Sequence, residues 1–467
     1  MNTTRNVRRL LSGGLIASMG WWAGCATTGP EAQVQFPPAP TYPPEHEYTL
    51  DELVELSIRR NASLDVSRYL AEAADGLVDQ VKALWLPTVN YTFAATTYDN
   101  DFNYDVRALH LTTINVPLTS GYNLANNVLL GQIIATGGKR TSGLKQAKML
   151  AALLKWDVLR QQDLVACEVA TFYQLVALSN DIDGVLDDAL RRIRVFRQVA
   201  DNLTARGTFR ASTLNVLEAD LVVAELEQLQ MALRAARQQA YGALKHAVGV
   251  EPDEPLLLRQ ASLPPPVTPL ERISVIAAAV QGFLNRPENR SLDLFAQIAR
   301  EQVHFAKSMW APNVVFFSSA INVTGNSHAI LNALDGLIAG ILVNLPLYDA
   351  AQRAGLRQAL GHEQAALALQ REIERCITLE IDVTALDAQR AVAALAAAQR
   401  AREAAAEHED AARQAYSREL IPASDVVAAV AVNALGKAGY LQALFSYHNA
   451  RSRLKRATAD RETPYGY

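Results

Sequence analysis

A tryptophan–proline motif, Trp85-Leu86-Pro87-Thr88-Val89, returns 225 residues later (312 − 87) as Trp310-Ala311-Pro312-Asn313-Val314. Downstream, Gly138-Lys139-Arg140 corresponds to Ala351-Gln352-Arg353, at an offset of 213 residues (353 − 140). A period this long is a duplication and not a solenoid repeat. Because neither copy can bury its apolar face alone, the two copies are predicted to build one closed or stacked architecture.

Polarity alternates along the residues that follow each tryptophan, as in a β-strand with one wet and one apolar face. In the first copy, Val89, Tyr91 and Phe93 fall on one face, and Asn90 and Thr92 fall on the other. The predicted strands are 88–98 and 127–136 in the first copy and 313–324 and 337–347 in the second. The last strand is apolar on both faces, and the polar stretch between the first two holds a further candidate strand at 111–116.

Two proline-free stretches predict very long helices. The first runs from Lys139 to about Leu203 with apolar residues at alternating three- and four-residue spacing, and the second covers about 352–418 and is rich in alanine. At 1.5 Å per residue, the first helix extends over roughly 95 Å. A helix of that length is not typical of an ordinary globular domain.

A shorter helical pattern precedes each tryptophan. In the first copy it begins near Tyr48, where Thr49 and Glu52 have the spacing of a capping box, and Pro87 ends it. The segments predicted along the chain are a signal peptide (1–24), a lipid-anchored Pro-rich linker (25–47), the first copy (48–250), a second Pro-rich linker (251–269), the second copy (270–459) and a tail (460–467).

The first residues have the pattern of a targeting segment. Three arginines precede the short apolar run 10–22, and small residues lead to Cys25 in Trp22-Ala23-Gly24-Cys25. This tetrapeptide resembles a bacterial lipobox, whose cysteine is lipidated and becomes the mature N-terminus. The alternative is an ordinary signal peptide with a coincidental cysteine. No stretch after residue 25 is predicted to cross a membrane as a helix, so any membrane span is expected to use strands.

Composition excludes several classes of function. The net charge is −4 and the pI is about 6.1, so no nucleic-acid partner is expected. Three cysteines imply no disulfide scaffold. His362-Glu363 begins like a zinc-protease motif, but position 366 is alanine. We therefore predict no catalytic residue, no metal site, no cofactor and no enzymatic activity.

The order of several weak motifs, found twice, gives the chain a specific resemblance. The motifs are Tyr48-Thr49-Leu50-Asp51-Glu52-Leu53, Asn61-Ala62-Ser63-Leu64, Asn285-Arg286-Pro287-Glu288, Gly137-Gly138-Lys139-Arg140, and Gly207 and Tyr416 at the two turns between helices. In this order they resemble the TolC family of outer-membrane efflux proteins, in its lipoprotein subgroup. The resemblance covers residues 48 to about 459.

The resemblance implies a mainly α-helical homotrimer with a membrane β-barrel. Each chain would give four strands to a shared 12-stranded barrel, and the long helices would form a tunnel across the periplasm. The implied partners are outer-membrane lipid, a periplasmic adaptor protein and an inner-membrane transporter. The strand pattern supports this independently, because a sheet in lipid satisfies its backbone groups only when it closes.

The resemblance also implies a periplasmic gate at the tips of the helices. Tyr416 corresponds to the family's gate aromatic and Asp425 to its first acidic position, whereas the second acidic position falls on Ala428. A ring of three Asp425 residues would favour cations. The alternative for Asp425 is a carboxylate that stabilises a helix N-terminus.

The sequence thus predicts an outer-membrane exit duct of a tripartite efflux or type I secretion system, which conducts passively. One alternative is a non-conducting structural lipoprotein of the same fold. Another is an enzyme or a soluble coiled-coil protein. The sequence names neither the substrate nor the transporter.

Overall fold

The computed structural model describes residues 46–98, 102–108, 112–118, 121–205, 213–259, 262–266, 280, 282–325 and 336–461, which belong to one unit, Pro44–Tyr467. The predicted signal peptide, Cys25 and Gly207 lie outside the described residues. The helices are α1 (Leu50–Arg60), α2 (Ala62–Ala83), α3 (Lys139–Ala205), α4 (Thr213–Val248), α5 (Pro287–Ser308), α6 (Ala350–Ser417) and α7 (Ala423–Thr458). The strands are β1 (Glu47–Tyr48), β2 (Thr88–Tyr98), β3 (Phe102–Ala108), β4 (Thr112–Leu118), β5 (Gly121–Ala135), β6 (Leu257–Leu258), β7 (Asn313–Gly325) and β8 (Gly336–Asn344).

Two helices dominate the described part of the chain. Helix α3 has 67 residues and α6 has 68, which gives each a length of about 100 Å. Their bounds lie close to the predicted 139–203 and 352–418. Helix α3 lies against α2, α4, α5 and α7, whereas α6 packs mainly on α7. Each long helix therefore turns back on a shorter partner and forms a helical hairpin.

The first helical pattern is two helices and not one. Thr49 forms the predicted capping box, since its backbone N–H donates to Glu52 Oε2 at 2.8 Å and Glu52 N–H donates to Thr49 Oγ1 at 3.4 Å. The helix then stops at Asn61, whose backbone is extended at φ −72° and ψ 119°. Asn61 Oδ1 accepts from Ser63 N–H at 2.9 Å and so begins α2.

Asn61 also ties this break to the end of α4. Its Nδ2 donates to the backbone carbonyl of Ala247 at 2.7 Å, and the side chain is buried. The side chain of Asn61 therefore satisfies a backbone N–H at the start of α2 and a buried backbone carbonyl at the end of α4. Below it lies an apolar cluster shared by α1, α2, α3 and α4, with Leu53, Leu64, Val169 and Leu244 completely buried.

A second core fills the space between the two helical hairpins. Leu186, Leu190 and Ile193 of α3 pack against Val427 and Val430 of α7. Among the described helices, α7 is long and apolar enough to cross a membrane by length and composition, which the sequence prediction did not anticipate. Its contacts with α3 give part of its apolar surface another role, as a bundle core.

The strands form three separate sheets. The main sheet is antiparallel with the order β2-β5-β7-β8, so it takes two strands from each copy, as predicted. Strands β3 and β4 form a hairpin of their own, and β1 pairs with β6 in parallel. Strand β6 lies inside the segment predicted as a linker, 251–269.

Two strand predictions need correction. The strand predicted at 127–136 begins earlier, at Gly121, because it pairs with β2 along its whole length, from Thr88↔Gly131 to Tyr98↔Gly121. Its polar residues have partners on the neighbouring strands: Tyr91 donates to Asn126 at 2.6 Å and Ser319 donates to Asn127 at 2.8 Å. The polar stretch between β2 and β5 holds two strands, β3 and β4, and not the single candidate at 111–116.

We expect Asn61→Ala to lower the free energy of unfolding by about 2 kcal/mol, because it removes a helix cap and leaves the carbonyl of Ala247 unsatisfied. Asn61→Asp keeps the cap oxygen and loses the donor, so it should fall between the wild type and the alanine variant. Urea denaturation followed by circular dichroism measures both. An alanine variant as stable as the wild type would contradict this role.

Candidate functional site: the open sheet and the helical tips

The main sheet begins with a strand, β2, whose two faces differ in polarity. One face carries Val89 and Tyr91 of β2 and, in the same rows, Leu130 of β5 and Ile341 of β8. The opposite face of β2 and β5 carries residues such as Thr88, Asn90, Thr92, Asn127 and Gly131. Strand β8 is apolar on both faces, as predicted. The alternation along β2 suits a wall between an apolar medium and water.

Both outer strands of this sheet are open. Strand β2 pairs only with β5 and β8 only with β7, so each presents one edge without a strand partner among the described residues. Their side chains are exposed as well: Val89 at 64% and Leu337 at 74%. A long, apolar and exposed edge strand invites pairing with another chain.

The junction between the sheet and the helices is stabilised by contacts within the chain. Gly137 has φ +58°, and a Cβ atom there would come within 1.9 Å of the Ala311 side chain, so only glycine fits. Arg140 stacks over Trp85, with its Cζ 4.9 Å from the ring centre. Its guanidinium donates to the carbonyls of Leu84, Ile133 and Ile134 at 3.0–3.1 Å. The stacking of Arg140 on Trp85 and its hydrogen bonds to the three carbonyls thus define where β5 ends and α3 begins.

Tyr416 lies in the last turn of α6, close to the first helical hairpin. Its ring meets Phe196 of α3 edge to face, with the centres 6.1 Å apart. This contact joins the two long helices near their ends. The other predicted gate residue, Asp425, is exposed in the first turn of α7 and makes no hydrogen bond or ion pair with any described residue. Within one chain, Tyr416 therefore contacts Phe196, and the side chain of Asp425 is exposed.

The turn between α6 and α7 has a residue other than glycine in a left-handed conformation. Glu419 has φ +67°, and the backbone N–H of Leu420 donates to the carbonyl of Ala415 at 2.9 Å. This is the helix ending that usually has glycine at the left-handed position. An L-residue with a side chain costs roughly 1–2 kcal/mol in that conformation.

We expect Glu419→Gly to be more stable than Glu419→Ala by about 1 kcal/mol, because both variants lose the side chain but only glycine adopts the left-handed conformation freely. Differential scanning calorimetry of the two variants gives the comparison. Equal melting temperatures would show that the turn does not keep this conformation in solution.

The long helices also meet at a buried carboxylate that the sequence prediction missed. Glu409 of α6 is 1% exposed. Its Oε1 accepts from Arg192 of α3 at 2.9 Å and from Arg413 at 2.8 Å, and its Oε2 accepts from Asn433 of α7 at 2.5 Å. Glu409 therefore connects three helices about two turns before the end of α6. Glu409 follows Ala405 by four residues and shares its helix face, but only the packed structure shows that this face is buried.

The partners of Glu409 decide its protonation. Burial alone would raise the pKa of Glu409, but the hydrogen bond from Asn433 and the charges of Arg413 and Arg192 together hold this pKa below its usual value. The folded state thus favours the ionised form more than the unfolded state does. The stability that Glu409 contributes is complete above the ordinary carboxyl pKa, and it is lost as the pH falls through the lowered folded-state pKa.

We expect Glu409→Leu to lower the free energy of unfolding by about 2 kcal/mol, because the buried amide of Asn433 loses its acceptor. The two arginines add little to this loss, since they are partly exposed and keep Asp188 and Asp410 as partners. The matched control is Glu407→Leu on the exposed side of α6, which should change stability by less than about 0.5 kcal/mol. Chemical denaturation at neutral pH measures both variants. Equal effects of the two substitutions would contradict a special role for Glu409.

Comparisons with known proteins support the fold and leave the family open. No family model matches the sequence, and no curated protein matches it. The solved outer-membrane channel OprN is 19% identical over 88% of this chain and 89% of its own, with a TM-score of 0.72.

Two further solved structures are equally similar in shape. The outer-membrane protein VceC of Vibrio cholerae is 17% identical over 88% of this chain and 95% of its own, with a TM-score of 0.72. The CmeC outer-membrane channel of Campylobacter jejuni is 13% identical over 88% and 85%, also with a TM-score of 0.72. The chain thus has the fold of outer-membrane channel proteins. The predicted resemblance is confirmed at the level of the fold: mainly helical, with four strands in one sheet.

Proposed function

We propose that the chain is an outer-membrane efflux channel of the TolC family. It would serve as the passive exit duct of a tripartite efflux or type I secretion system. The observation that carries this proposal is the four-stranded sheet with two open, apolar edges. In lipid, the free edge of a strand leaves backbone N–H and C=O groups unsatisfied, at a cost of several kcal/mol each. The sheet of a single chain is therefore unstable in a membrane. Pairing of β8 with β2 of another copy removes both edges at once.

The proposed number of copies is three, as the resemblance to the TolC family implies. Three copies would give twelve strands, an even number within the range of closed membrane barrels. The apolar row of Val89, Tyr91 and Ile341 would then face lipid, and the row of Thr88 and Asn90 would face water in the pore. Helices α3 and α6, each about 100 Å long, would continue the pore into the periplasm.

The gate is proposed to lie at the helical tips. Tyr416 with Phe196, and Glu409 with its arginines, join α6 to α3 there. A ring of Asp425 residues from three copies would make the narrowest point selective for cations. A periplasmic adaptor would dock on these tips and an inner-membrane transporter would supply the energy, so that this chain carries out no covalent chemistry.

Lipidation of Cys25 is part of the same proposal. Acyl chains on this cysteine would hold the N-terminus at the inner face of the outer membrane, at roughly 0.8 kcal/mol per buried methylene. Mass spectrometry of the mature N-terminus decides it. A free Cys25 thiol, or cleavage elsewhere, would leave an ordinary signal peptide.

A non-conducting structural role is the second candidate, and one observation favours it. Leu342 and Ile338 of β8 point to the same side as Asn90 and Ser319, so the proposed pore wall has an apolar part. Apolar constrictions can close a pore by excluding water. Single-channel recording of the purified protein in planar bilayers separates the two candidates. Steps of conductance are expected for a duct, and a correctly assembled oligomer that never conducts would favour the structural role.

We expect Ile341→Lys to prevent assembly in the outer membrane, because a lysine on the lipid face costs about 2–4 kcal/mol near the middle of the bilayer. The matched control is Leu342→Lys, one residue along and on the opposite face. This variant should assemble and shift the ion selectivity of the channel towards anions. Outer-membrane fractionation and reversal potentials measure the two effects. Equal tolerance of both lysines would contradict the assignment of the faces.

A further inference from the structure

The duplication places two equivalent arginines at the two junctions between sheet and helix. Arg140 follows β5 and Arg353 follows β8, at the offset that relates the two copies. Arg140 uses its guanidinium inside the protein, where it donates to three backbone carbonyls. If the second junction were built in the same way, Arg353 would have similar acceptors.

Arg353 has no such acceptors. It is exposed, and its guanidinium makes no hydrogen bond or ion pair with any residue in the described ranges. Its one neighbour of note is the ring of Tyr348, over which its Cζ lies 5.0 Å from the ring centre. Stacking on an aromatic ring holds a guanidinium in place and leaves the N–H groups at its rim free to donate.

The residues beside this pair are strongly apolar and exposed. Leu347 is 86% exposed, Tyr348 is 71% exposed and Leu345 is 51% exposed. They link the end of β8 to the start of α6 and continue the apolar surface of Ile341 and Val343. The site therefore offers a free cation next to an apolar surface, at the level where the sheet ends.

We infer that Arg353 and Tyr348 bind the phosphate of an anionic phospholipid in the leaflet that faces the periplasm. This inference rests on the proposed function, which puts β8 in the membrane. The guanidinium and the hydroxyl end of the tyrosine ring contact the headgroup, and Leu345 and Leu347 contact the start of the acyl chains. Tyrosine and arginine are suited to this interface, since each has an apolar body and a polar end.

A second copy of the chain fits the site less well than a lipid. In an antiparallel barrel, the end of β8 lies beside the start of β2 of the next copy. The residues there, 84–87, are Leu-Trp-Leu-Pro and include no carboxylate. The carboxylate of α2 closest in sequence to this segment is Asp79, which pairs with Lys82 of its own helix at 2.7 Å. A neighbouring copy would therefore cover the leucines but would bring no unpaired anion to Arg353. A phospholipid supplies both the negative charge and the apolar surface.

The test uses the full-length protein, purified in detergent and incubated with phosphatidylglycerol or phosphatidylcholine. Native mass spectrometry then counts the lipids that each oligomer retains. The variant is Arg353→Met, which keeps the length of the side chain and removes the charge. The matched control is Arg357→Met, the same change one helical turn further along α6 at an exposed arginine without a stacked ring. Tyr348→Leu removes the ring and keeps apolar bulk.

We expect Arg353→Met to weaken retention of phosphatidylglycerol about fivefold, the effect of roughly one basic side chain at a membrane surface. Tyr348→Leu should weaken it less, and Arg357→Met should match the wild type. The inference is wrong if both methionine variants lose lipid equally, if the wild type retains both lipids alike, or if Arg353→Met dissociates the oligomer while the remaining protein keeps its lipid.

The outcome is separate from that of the proposed function. A wild-type protein that conducts but retains no phosphatidylglycerol would contradict the lipid site and leave the proposed channel function standing. If the wild type retains phosphatidylglycerol but never conducts, and Arg353→Met specifically loses this lipid, the lipid site stands and the proposed channel function is contradicted.

Discussion

The backbone groups along the free edges of β2 and β8 place the strongest constraint on this molecule. Each edge carries N–H and C=O groups that water or another strand must satisfy. The exposed residues of these edges, such as Val89 and Leu337, are apolar and favour an environment without water. The two demands conflict in a single chain, because the apolar residues favour lipid whereas the free backbone groups do not. Closure by further copies resolves the conflict without any change within the chain.

The helical part follows from the same arrangement. Each copy continues from its last strand into a long helix, α3 after β5 and α6 after β8, and Gly137 is required where β5 meets α3. Along these helices the cores combine leucines with small residues such as Ala177, Ala388 and Ala391, which allow close approach of the helix backbones. Near the tips, the buried Glu409 and the Phe196–Tyr416 contact lie beside the apolar packing of α3 on α7. Removal of one partner of a buried charge is costly, so the packing of α3, α6 and α7 depends on the complete set.

Much of this fold could be predicted from local pattern. The alternation of Val89, Tyr91 and Phe93 identified β2, and the long proline-free stretches identified α3 and α6. The start of β5 was missed because its polar residues read as a loop, although Asn126 and Asn127 accept hydrogen bonds from neighbouring strands. The break at Asn61 was missed because its second partner, Ala247, is far away in sequence. Glu409 was missed because charges on long helices are usually solvated, and only the packing of three helices buries this one. The proposed roles of Cys25, Tyr416 and Asp425 depend on lipid, on other copies or on partners, which the sequence of one chain does not contain.

The most direct test is a structure of the full-length protein extracted in mild detergent, determined by electron cryo-microscopy. We expect three copies, with β8 of each hydrogen-bonded to β2 of the next in a closed ring of twelve strands. A monomer whose β2 and β8 edges stay open to water, or pair within their own chain, would contradict it.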